Sequence, residues 1–490
     1  MLTYFQNLQI ILVPFVSVFV SYLVGRRWGK KAGWVAFASL GYSTLLTLYA
    51  GSLGGYVEYY QWPPIGLFGL NADGLSIPIL FTIALLCTLI SLYSMAYMTH
   101  SIQDKKQFGF YYALLLLYSV GMMGAVLATN LIEFYLFFEL MLIPSYFLIA
   151  KWGSGDRDRI SFMYFMWTHV GALAFLAGIL TVGYFAGGFD LQTILTTSLP
   201  GTLRLFIVIL MVAGLLVKMA AFGLHIWLPH AHAEAPTPIS ALLSPAMIGI
   251  GGYAIVRIVM TILPSTFLEI STALAVWAVA TMFYGGAMAL VQDDIKRLLA
   301  YSSISQMGYI LLGIASFQTL GVSGAMFQYV THGLGKGILF MIAGAIMIQT
   351  GGLRSIRKMG GLAARMPITA TAALIGFLTI TGIPPTTGFV SEFLIFAGSF
   401  NGAFQANSML KIALSFLAVV STALTAGYSL WAVRRIFFGK LPTELVDVKE
   451  APLTMIIPVL VLAAISIIIG IFPDIVEHLL LPAVKTIVGG

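Results

Sequence analysis

The chain has 490 residues, of which 59% are hydrophobic and only 9% are charged, and its formal net charge is +7. Soluble domains average about 25% charged residues, so the composition excludes a soluble multidomain protein and is typical of a polytopic α-helical membrane protein. The positive charge does not indicate nucleic-acid binding, because the basic residues lie in short segments between apolar runs, where they set topology.

The single cysteine, Cys87, lies in an apolar run. It cannot form an intrachain disulfide, and one thiol cannot ligate an iron–sulfur cluster within this chain. The sequence also has no P-loop and no G-x-G-x-x-G nucleotide fingerprint. We therefore expect no cofactor and no metal in this chain, which could move ions but could not by itself carry out redox chemistry or hydrolyse ATP.

Fourteen apolar spans can be counted, and most reach the ~20 residues that a bilayer crossing requires. We predict an all-α polytopic membrane protein of about 14 transmembrane helices, with residues 1–490 as a single transmembrane domain. The approximate ranges are 7–25, 32–51, 78–98, 111–129, 131–150, 163–185, 203–224, 239–262, 270–291, 299–315, 322–348, 367–399, 410–433 and 454–473.

The basic residues are distributed asymmetrically between the loops. If the N-terminus is outside, the loops after the odd-numbered spans are cytoplasmic and hold nineteen of the 25 basic residues, Lys296 and Arg297 among them. Because cytoplasmic loops are enriched in Lys and Arg, we predict that both termini lie outside. The aromatic loop near 52–77 should then lie at the outer interface, and the tail after 474 should form a short surface helix.

Two spans are predicted to be broken. The seventh runs into HIWLPHAHAEAPTP, and the twelfth contains Pro384 and Pro385, which remove backbone donors in mid-span. Paired broken helices suggest inverted repeats around an ion path. We predict two inverted five-helix units, at about 111–262 and 270–433.

Lys218, in the seventh span, and Glu139, in the fifth, are costly to bury in a membrane, and such residues usually face a bundle interior or a wet cavity. Burial disfavours the charged forms of both side chains, whereas pairing the two charges with each other favours them. Making and breaking a Glu139–Lys218 pair would therefore switch the protonation of Lys218. Glu133 is closer to the span end and is expected to be interfacial, and Arg257 is expected to snorkel.

Three further candidates for a proton path lie in the second unit. His332 and Lys336 are four residues apart, which puts them on one helix face. Glu392 follows the proline break by about two turns and could end the path near the outer half of the membrane.

The polar insert after Lys218 holds His225, His230, His232 and Glu234. Its His-x-His spacing resembles a metal site, but it is not a helical i, i+4 pair and has no carboxylate-rich shell. We expect a hydrated path or an interface there, with His225 in proton translocation. His169, in the sixth span, fits either a relay or a packing histidine.

Four stretches together carry a resemblance to a known family: VKMAAFGLHIWLPHAHAEAPTPISALL, DDIKRLLAYSSISQMGYILLG, THGLGKGILF and GIPPTTGFVSEF. They resemble the antiporter-like membrane subunits of respiratory complex I, above all chain 4, the subunit M type. The same family includes subunits of Mrp sodium/proton antiporters and of membrane-bound hydrogenases, and the resemblance covers nearly the whole chain.

The resemblance implies fourteen helices, two inverted repeats and a central axis of charged residues. By position, Glu139, Lys218 and Glu392 match the charged residues of the family's fifth, seventh and twelfth helices. One departure is important, since Gly249 stands where the M type usually has a lysine in its eighth helix. We infer that Lys336 supplies the central charge that Gly249 lacks.

We therefore expect a proton-translocating membrane subunit of a complex I-like quinone oxidoreductase in an energy-transducing, prokaryotic membrane. Redox chemistry in other subunits would drive it, and its partners would be neighbouring antiporter-like subunits, the lipid bilayer and protons, with no nucleic acid. The alternative is an Mrp-type sodium/proton antiporter or hydrogenase-linked ion-pump subunit. A purely structural scaffold would tolerate neutral residues at 139, 218, 336 and 392 together.

Overall fold

The computed structural model describes residues 6–197 and 199–489, which are mostly helical. The first half of the chain contains two strands among its helices. These elements are α1 (Gln6–Trp28), α2 (Ala32–Ser52), β1 (Tyr56–Trp62), β2 (Gly66–Ala72), α3 (Ser76–Tyr97), α4 (Gln107–Leu127), α5 (Leu131–Leu140), α6 (Leu142–Trp152), α7 (Arg157–Ala186), α8 (Leu191–Leu195), α9 (Gly201–Lys218) and α10 (Trp227–Glu234).

The second half contains α-helices and two π-helical turns, at Leu243–Met247 and Ile255–Met260, which interrupt the eighth span. The α-helices are α11 (Thr237–Leu242), α12 (Ile250–Ala254), α13 (Pro264–Leu290), α14 (Ile295–Ala315), α15 (Thr319–Gln349), α16 (Pro367–Thr381), α17 (Thr387–Gln405), α18 (Met409–Phe437), α19 (Leu453–Ile471) and α20 (Asp474–Val488).

Twelve helical stretches within the described residues are long and apolar enough to cross a membrane. The first of them, Gln6–Ser52, contains both α1 and α2, and the apolar helix α16 is shorter than a crossing. The predicted all-α membrane architecture is confirmed, while the count of fourteen spans stays a prediction.

The helices are divided into an inner and an outer group. The helices α3, α4, α14 and α15, together with residues 237–260, are almost entirely buried, whereas α1, α2 and α18 expose much of their apolar surface. Such exposed apolar faces suit lipid tails or a neighbouring subunit. The inner group is therefore where a charged side chain can be kept from lipid.

A two-stranded antiparallel hairpin, β1–β2, fills the loop at 52–77. It pairs Tyr56 with Ala72 at its open end and Trp62 with Gly66 at its turn. The segment YVEYYQW is rich in the aromatic and β-branched residues that suit strands. Buried Glu58 holds the hairpin against the start of α1 by accepting the backbone N–H groups of Asn7 and Leu8.

Arg257 forms an ion pair with an acidic residue outside its own span. Its guanidinium binds Asp73 at both carboxylate oxygens, with Nη1–Oδ2 at 2.7 Å and Nη2–Oδ1 at 2.5 Å. Asp73 also accepts the N–H of Ser76 and so caps the start of α3. Local sequence reasoning did not predict this partner, because it lies 184 residues away along the chain.

The tail forms α20, an amphipathic helix on the surface. Val476, Leu480 and Val484 are spaced four residues apart, lie on one face and are buried, while Asp474 and Ile475 are exposed. This agrees with the short surface helix expected after residue 474.

Both predicted breaks are present. The seventh span stops at Lys218 and resumes at Trp227, and the twelfth stops at Thr381 and resumes at Thr387. Each break begins with a left-handed residue, Ala220 (φ 53°) in the first and Gly382 (φ 71°) in the second. The backbone hydrogen bonding of the helix is therefore interrupted once in the seventh span and once in the twelfth.

Candidate functional site

Lys218 is the last residue of α9 and is 2% exposed. Trp227, which opens α10, donates its indole N–H to the carbonyl of Val217 at 3.0 Å and so closes the gap over the end of α9. The Lys218 ammonium lies 4.8 Å from the centre of the Phe138 ring. The attraction between a cation and an aromatic face offsets part of the free energy lost when the cation leaves water. The Phe138 ring therefore helps to stabilise Lys218 inside the bundle.

Glu139 contacts a histidine rather than the lysine. Its Oε2 lies 3.0 Å from Nδ1 of His169, and both side chains are partly exposed at the edge of the bundle. The carboxylate acts on the charge of Lys218 through space, but the ion pairs within 4 Å among the described residues do not join the two. The second oxygen, Oε1, is buried and unpartnered in the described structure.

His332 and Lys336 lie one turn apart on α15, and both are buried. The Lys336 ammonium donates to the carbonyl of Leu299 at 3.1 Å and to the hydroxyl of Ser302, both on α14. Nε2 of His332 has no hydrogen-bond partner among the described residues. Lys336 is thus held by neutral acceptors, a setting in which it can gain or lose a proton without breaking an ion pair.

Glu392 lies on α17 beside the second break, with its carboxylate close to Gly382. It is buried, and its Oε1 has no hydrogen-bond partner in the described structure. The preceding residue, Ser391, donates to Oε1 of Gln328 at 2.5 Å, and Gln328 in turn donates to Gln306. Polar side chains therefore connect the region of Glu392 with the interior of α14 and α15.

The three histidines of the polar insert differ in burial and in contacts. His225 is buried within the break, where its Nδ1 accepts the N–H of Gly223 at 3.1 Å, and its ring lies 4.6 Å from that of Tyr284. His230 is exposed, whereas His232 is buried against the ring of Phe340 at 4.9 Å. His230 and His232 thus differ in environment and do not form a shared site.

The structure also brings in residues that sequence reasoning missed. Lys296 was counted among the cytoplasmic loop residues, but it is 1% exposed and donates to the carbonyls of Ala233 at 3.3 Å and Ala235 at 2.5 Å. Lys296 lies two residues after Asp294, the residue that caps the start of α14. Because lysines near the ends of spans are usually exposed in loops, the sequence did not indicate that this one is buried. Gln306 and Gln328 are buried amides in the middle of apolar helices. Polar side chains in such positions could have indicated from the sequence that they belong to the site.

The structure gives a steric reason for Gly249. A side chain added there would collide with the ring of Tyr329, whose hydroxyl donates to the carbonyl of Ala246 at 2.5 Å. Tyr329 precedes Lys336 by seven residues, so the two lie on one face of α15. The Tyr329 ring therefore fills the space that a side chain at position 249 would need. The lysine of α15, Lys336, lies two turns beyond this tyrosine.

Two family models match the chain. The model described as NADH:quinone oxidoreductase/Mrp antiporter, TM, covers residues 128–425. A second, described as NADH-ubiquinone oxidoreductase (complex I), chain 5 N-terminus, covers residues 66–111. The first matched range includes Glu139, Lys218, Lys336 and Glu392.

Comparisons with individual proteins point to the same family as the two family models. The chain is 34% identical to the F(420)H(2) dehydrogenase subunit M of Methanosarcina mazei, over 95% of this chain and 94% of that protein. It is 32% identical to the NADH-quinone oxidoreductase subunit M of Rickettsia bellii, over 86% and 83% of the two chains. It superposes on a chain of respiratory complex I from Thermus thermophilus with a TM-score of 0.87 and 27% identity, covering 98% of this chain and 99% of that one. The protein therefore belongs to the antiporter-like family of complex I and Mrp membrane subunits.

Proposed function

We propose that this chain is a proton-translocating subunit of a complex I-like oxidoreductase, in which protons move along Glu139, Lys218, His332, Lys336 and Glu392. The observation that carries the proposal is the burial of Lys218, Lys336 and Glu392 without a direct ion-pair partner in the described structure. Ionisable groups are expensive inside a membrane bundle and commonly mark ion pathways.

In this mechanism Glu139 is the group that couples the chain to its neighbours. It lies at the edge of the bundle, so a partner subunit could change its charge, and its charge acts on Lys218. A change at Glu139 would alter how strongly Lys218 holds its proton. His332 and Lys336 would carry the proton across the centre, Glu392 would pass it on toward the outer side, and His225 would assist within the first break.

Two similar caps support the predicted inverted units, 111–262 and 270–433. Asn130 accepts two backbone N–H groups at the start of α5 and forms a β-bridge with Asp190, which follows α7. Asp294 caps α14 in the same way and forms a bridge with Ser355, which follows α15. The two units thus share a cap and a bridge at corresponding helices, as repeats would.

The assembly and orientation follow from the same reasoning. Exposed apolar faces on α1, α2 and α18 would pack against lipid and neighbouring antiporter-like subunits. Different subunits, in a separate hydrophilic arm, would carry the redox chemistry, since the only cysteine here, Cys87, is buried and cannot ligate a cluster alone. We place both termini outside a prokaryotic energy-transducing membrane, with the basic loops inside.

Replacing Lys218 with Met tests the proposal in the intact complex. We expect donor-driven proton pumping, measured with a pH dye in membrane vesicles, to be abolished while the complex still assembles. Lys358→Met, at an exposed position in an inner loop, is the matched control. Unchanged proton stoichiometry in Lys218→Met vesicles would refute the proposal.

An Mrp-type sodium/proton antiporter subunit is the second candidate, because the matching family model spans both kinds of protein. Such a subunit would exchange ions across the membrane without an electron donor. Vesicles given a sodium gradient but no donor distinguish the two, since only the antiporter would then acidify or alkalinise the interior.

A further inference from the structure

The side chain of Lys296 is buried and reaches from α14 to the C-terminal end of α10. The carbonyls that it binds, those of Ala233 and Ala235, belong to the last turn of α10 and the residue after it. Two hydrogen bonds leave one N–H of the ammonium unassigned, since an ammonium carries three donors. The lysine is therefore held in place by groups that do not neutralise it.

His232 directly precedes Ala233, one of the two residues whose carbonyls bind Lys296. It is fully buried, and neither ring nitrogen has a hydrogen-bond partner among the described residues. The charges of both Lys296 and Lys336 act on its imidazole, and its ring stacks on Phe340, one turn beyond Lys336. A buried imidazole usually finds partners for its nitrogens, so two ring nitrogens without a partner among the described residues are unusual for a packing residue.

Helix α14 sets the spacing of this group. Leu299, whose carbonyl accepts from Lys336, is three residues after Lys296 and therefore about one turn along the same helix. Helix α14 thus carries Lys296 itself and, one turn further on, the carbonyl that holds the ammonium of Lys336. One helix consequently positions both ends of a short basic cluster formed by Lys296, His232 and Lys336.

We propose that Lys296 is the group through which protons are taken up from the inner side, and that His232 passes them to Lys336; this rests on the proposed function. A proton leaves Nζ of Lys296 for one ring nitrogen of His232, and the proton on the other ring nitrogen moves to the neutral amine of Lys336. Lys296 then regains a proton from the inner aqueous side. Each cycle moves one proton inward to the bundle centre and consumes no other reactant.

The surroundings of Lys296 connect it with the inner surface. Glu234 is half-buried, its charge acts on Lys296, and its carboxylate accepts the hydroxyl of exposed Ser154 at 3.1 Å. The ion pair between Arg354 and Asp294, at 2.6 Å, lies beside it and is partly exposed. These groups lie in or beside the basic loops that the positive-inside rule assigns to the cytoplasm, which agrees with uptake from that side.

The test compares Lys296→Arg with Lys296→Gln and with the control Arg297→Gln in the intact complex. Arginine keeps a charge and several donors for the two carbonyls but does not release its proton in proteins. We expect Lys296→Arg to assemble, to retain its thermal stability in detergent and to lose donor-driven proton pumping. The exposed neighbour Arg297 should be replaceable without loss.

The outcomes separate a relay from a structural lysine. Full pumping by Lys296→Arg would overturn the proposal, because only the carbonyl contacts would then be needed. If the arginine does not assemble, Lys296→Ala is measured with added ethylamine. Restored pumping supports the relay, and no restoration in an assembled complex overturns it. If wild-type vesicles do not pump protons, or Lys218→Met vesicles pump normally, it is the proposed function that fails.

Discussion

Nδ1 of His169 lies 3.0 Å from Oε2 of Glu139, at the edge of the bundle where the two side chains are only partly covered. The fifth and sixth spans are thus linked by an acid and an imidazole. The direct partner of Glu139 is therefore His169, although its charge acts on Lys218. Because both Glu139 and His169 are partly exposed, a neighbouring subunit can approach them.

Glu139→Gln should lower donor-driven pumping by about 100-fold, which is the scale for removing a positioned acid or base. The amide keeps the size of the side chain and can still bond to His169, but it carries no charge to act on Lys218. Proton uptake by vesicles measures the effect. Glu444→Gln, at an exposed loop position, is the control, and equal pumping by the two variants would contradict the coupling role.

Ser302→Ala removes one of the two acceptors that hold Lys336. A lost hydrogen bond to a charged group costs about 1.5–3 kcal/mol, so we expect a lower unfolding midpoint in detergent and a partial loss of pumping. Lys336→Met should keep the fold and lose pumping completely. A Ser302→Ala complex that melts and pumps like the wild type would show that the contact is unimportant.

Glu392→Gln should also stop pumping, because its buried carboxylate is the last ionisable group proposed for the path. Glu269→Gln is the matched control, since Glu269 is exposed on α13 and has no proposed role. Both complexes should assemble in normal amounts. Pumping by the Glu392 variant at the control rate would remove this residue from the path.

Asp73→Asn should destabilise the protein by about 2 kcal/mol, because it breaks charge-assisted hydrogen bonds to Arg257. Burial alone would raise the pKa of the Asp73 carboxyl, but the Arg257 guanidinium and the hydrogen bonds from Ser76 outweigh it, so this pKa lies below its ordinary value. A lowered carboxyl pKa gives stability that is complete above the unfolded-state pKa and is lost as the pH falls through the folded-state pKa.

Thermal unfolding in detergent as a function of pH measures this contribution. The wild type should be more stable than Asp73→Asn at neutral pH, and the difference should shrink only as the pH falls below the ordinary carboxyl range, near 4. Asp447→Asn, at an exposed loop position, should show no such difference. A gap between wild type and Asp73→Asn that widens in acid would contradict the ion pair.

Gly249→Ala should lower stability by about 1–3 kcal/mol, the usual effect of overpacking a well-filled interior. The added methyl would meet the Tyr329 ring. Gly201→Ala is the control, because a methyl there meets no atom within 4 Å. Thermal melts of the two variants decide the point, and equal midpoints would mean that the tyrosine moves aside easily.

Much of this protein was determined by the order of its residues alone. Apolar spans of about twenty residues and short basic loops dictate a helical membrane protein, because unpaired backbone groups cannot face lipid. Prolines and polar residues inside two spans placed the breaks near Lys218 and Thr381. Costly charges inside spans marked Lys218, Lys336 and Glu392 as candidates, since the energetic argument needs no neighbour to be known.

Contacts between distant segments were decided only by the tertiary structure. Glu139 contacts His169, Arg257 finds Asp73, and Tyr329 explains Gly249, and none of these pairs is close in the chain. Lys296 looked like a loop residue because it lies close to a span end, and only the fold of α10 over α14 buries it. Sequence reports the cost of placing a group in the membrane, but the packing of helices determines which group lies beside it.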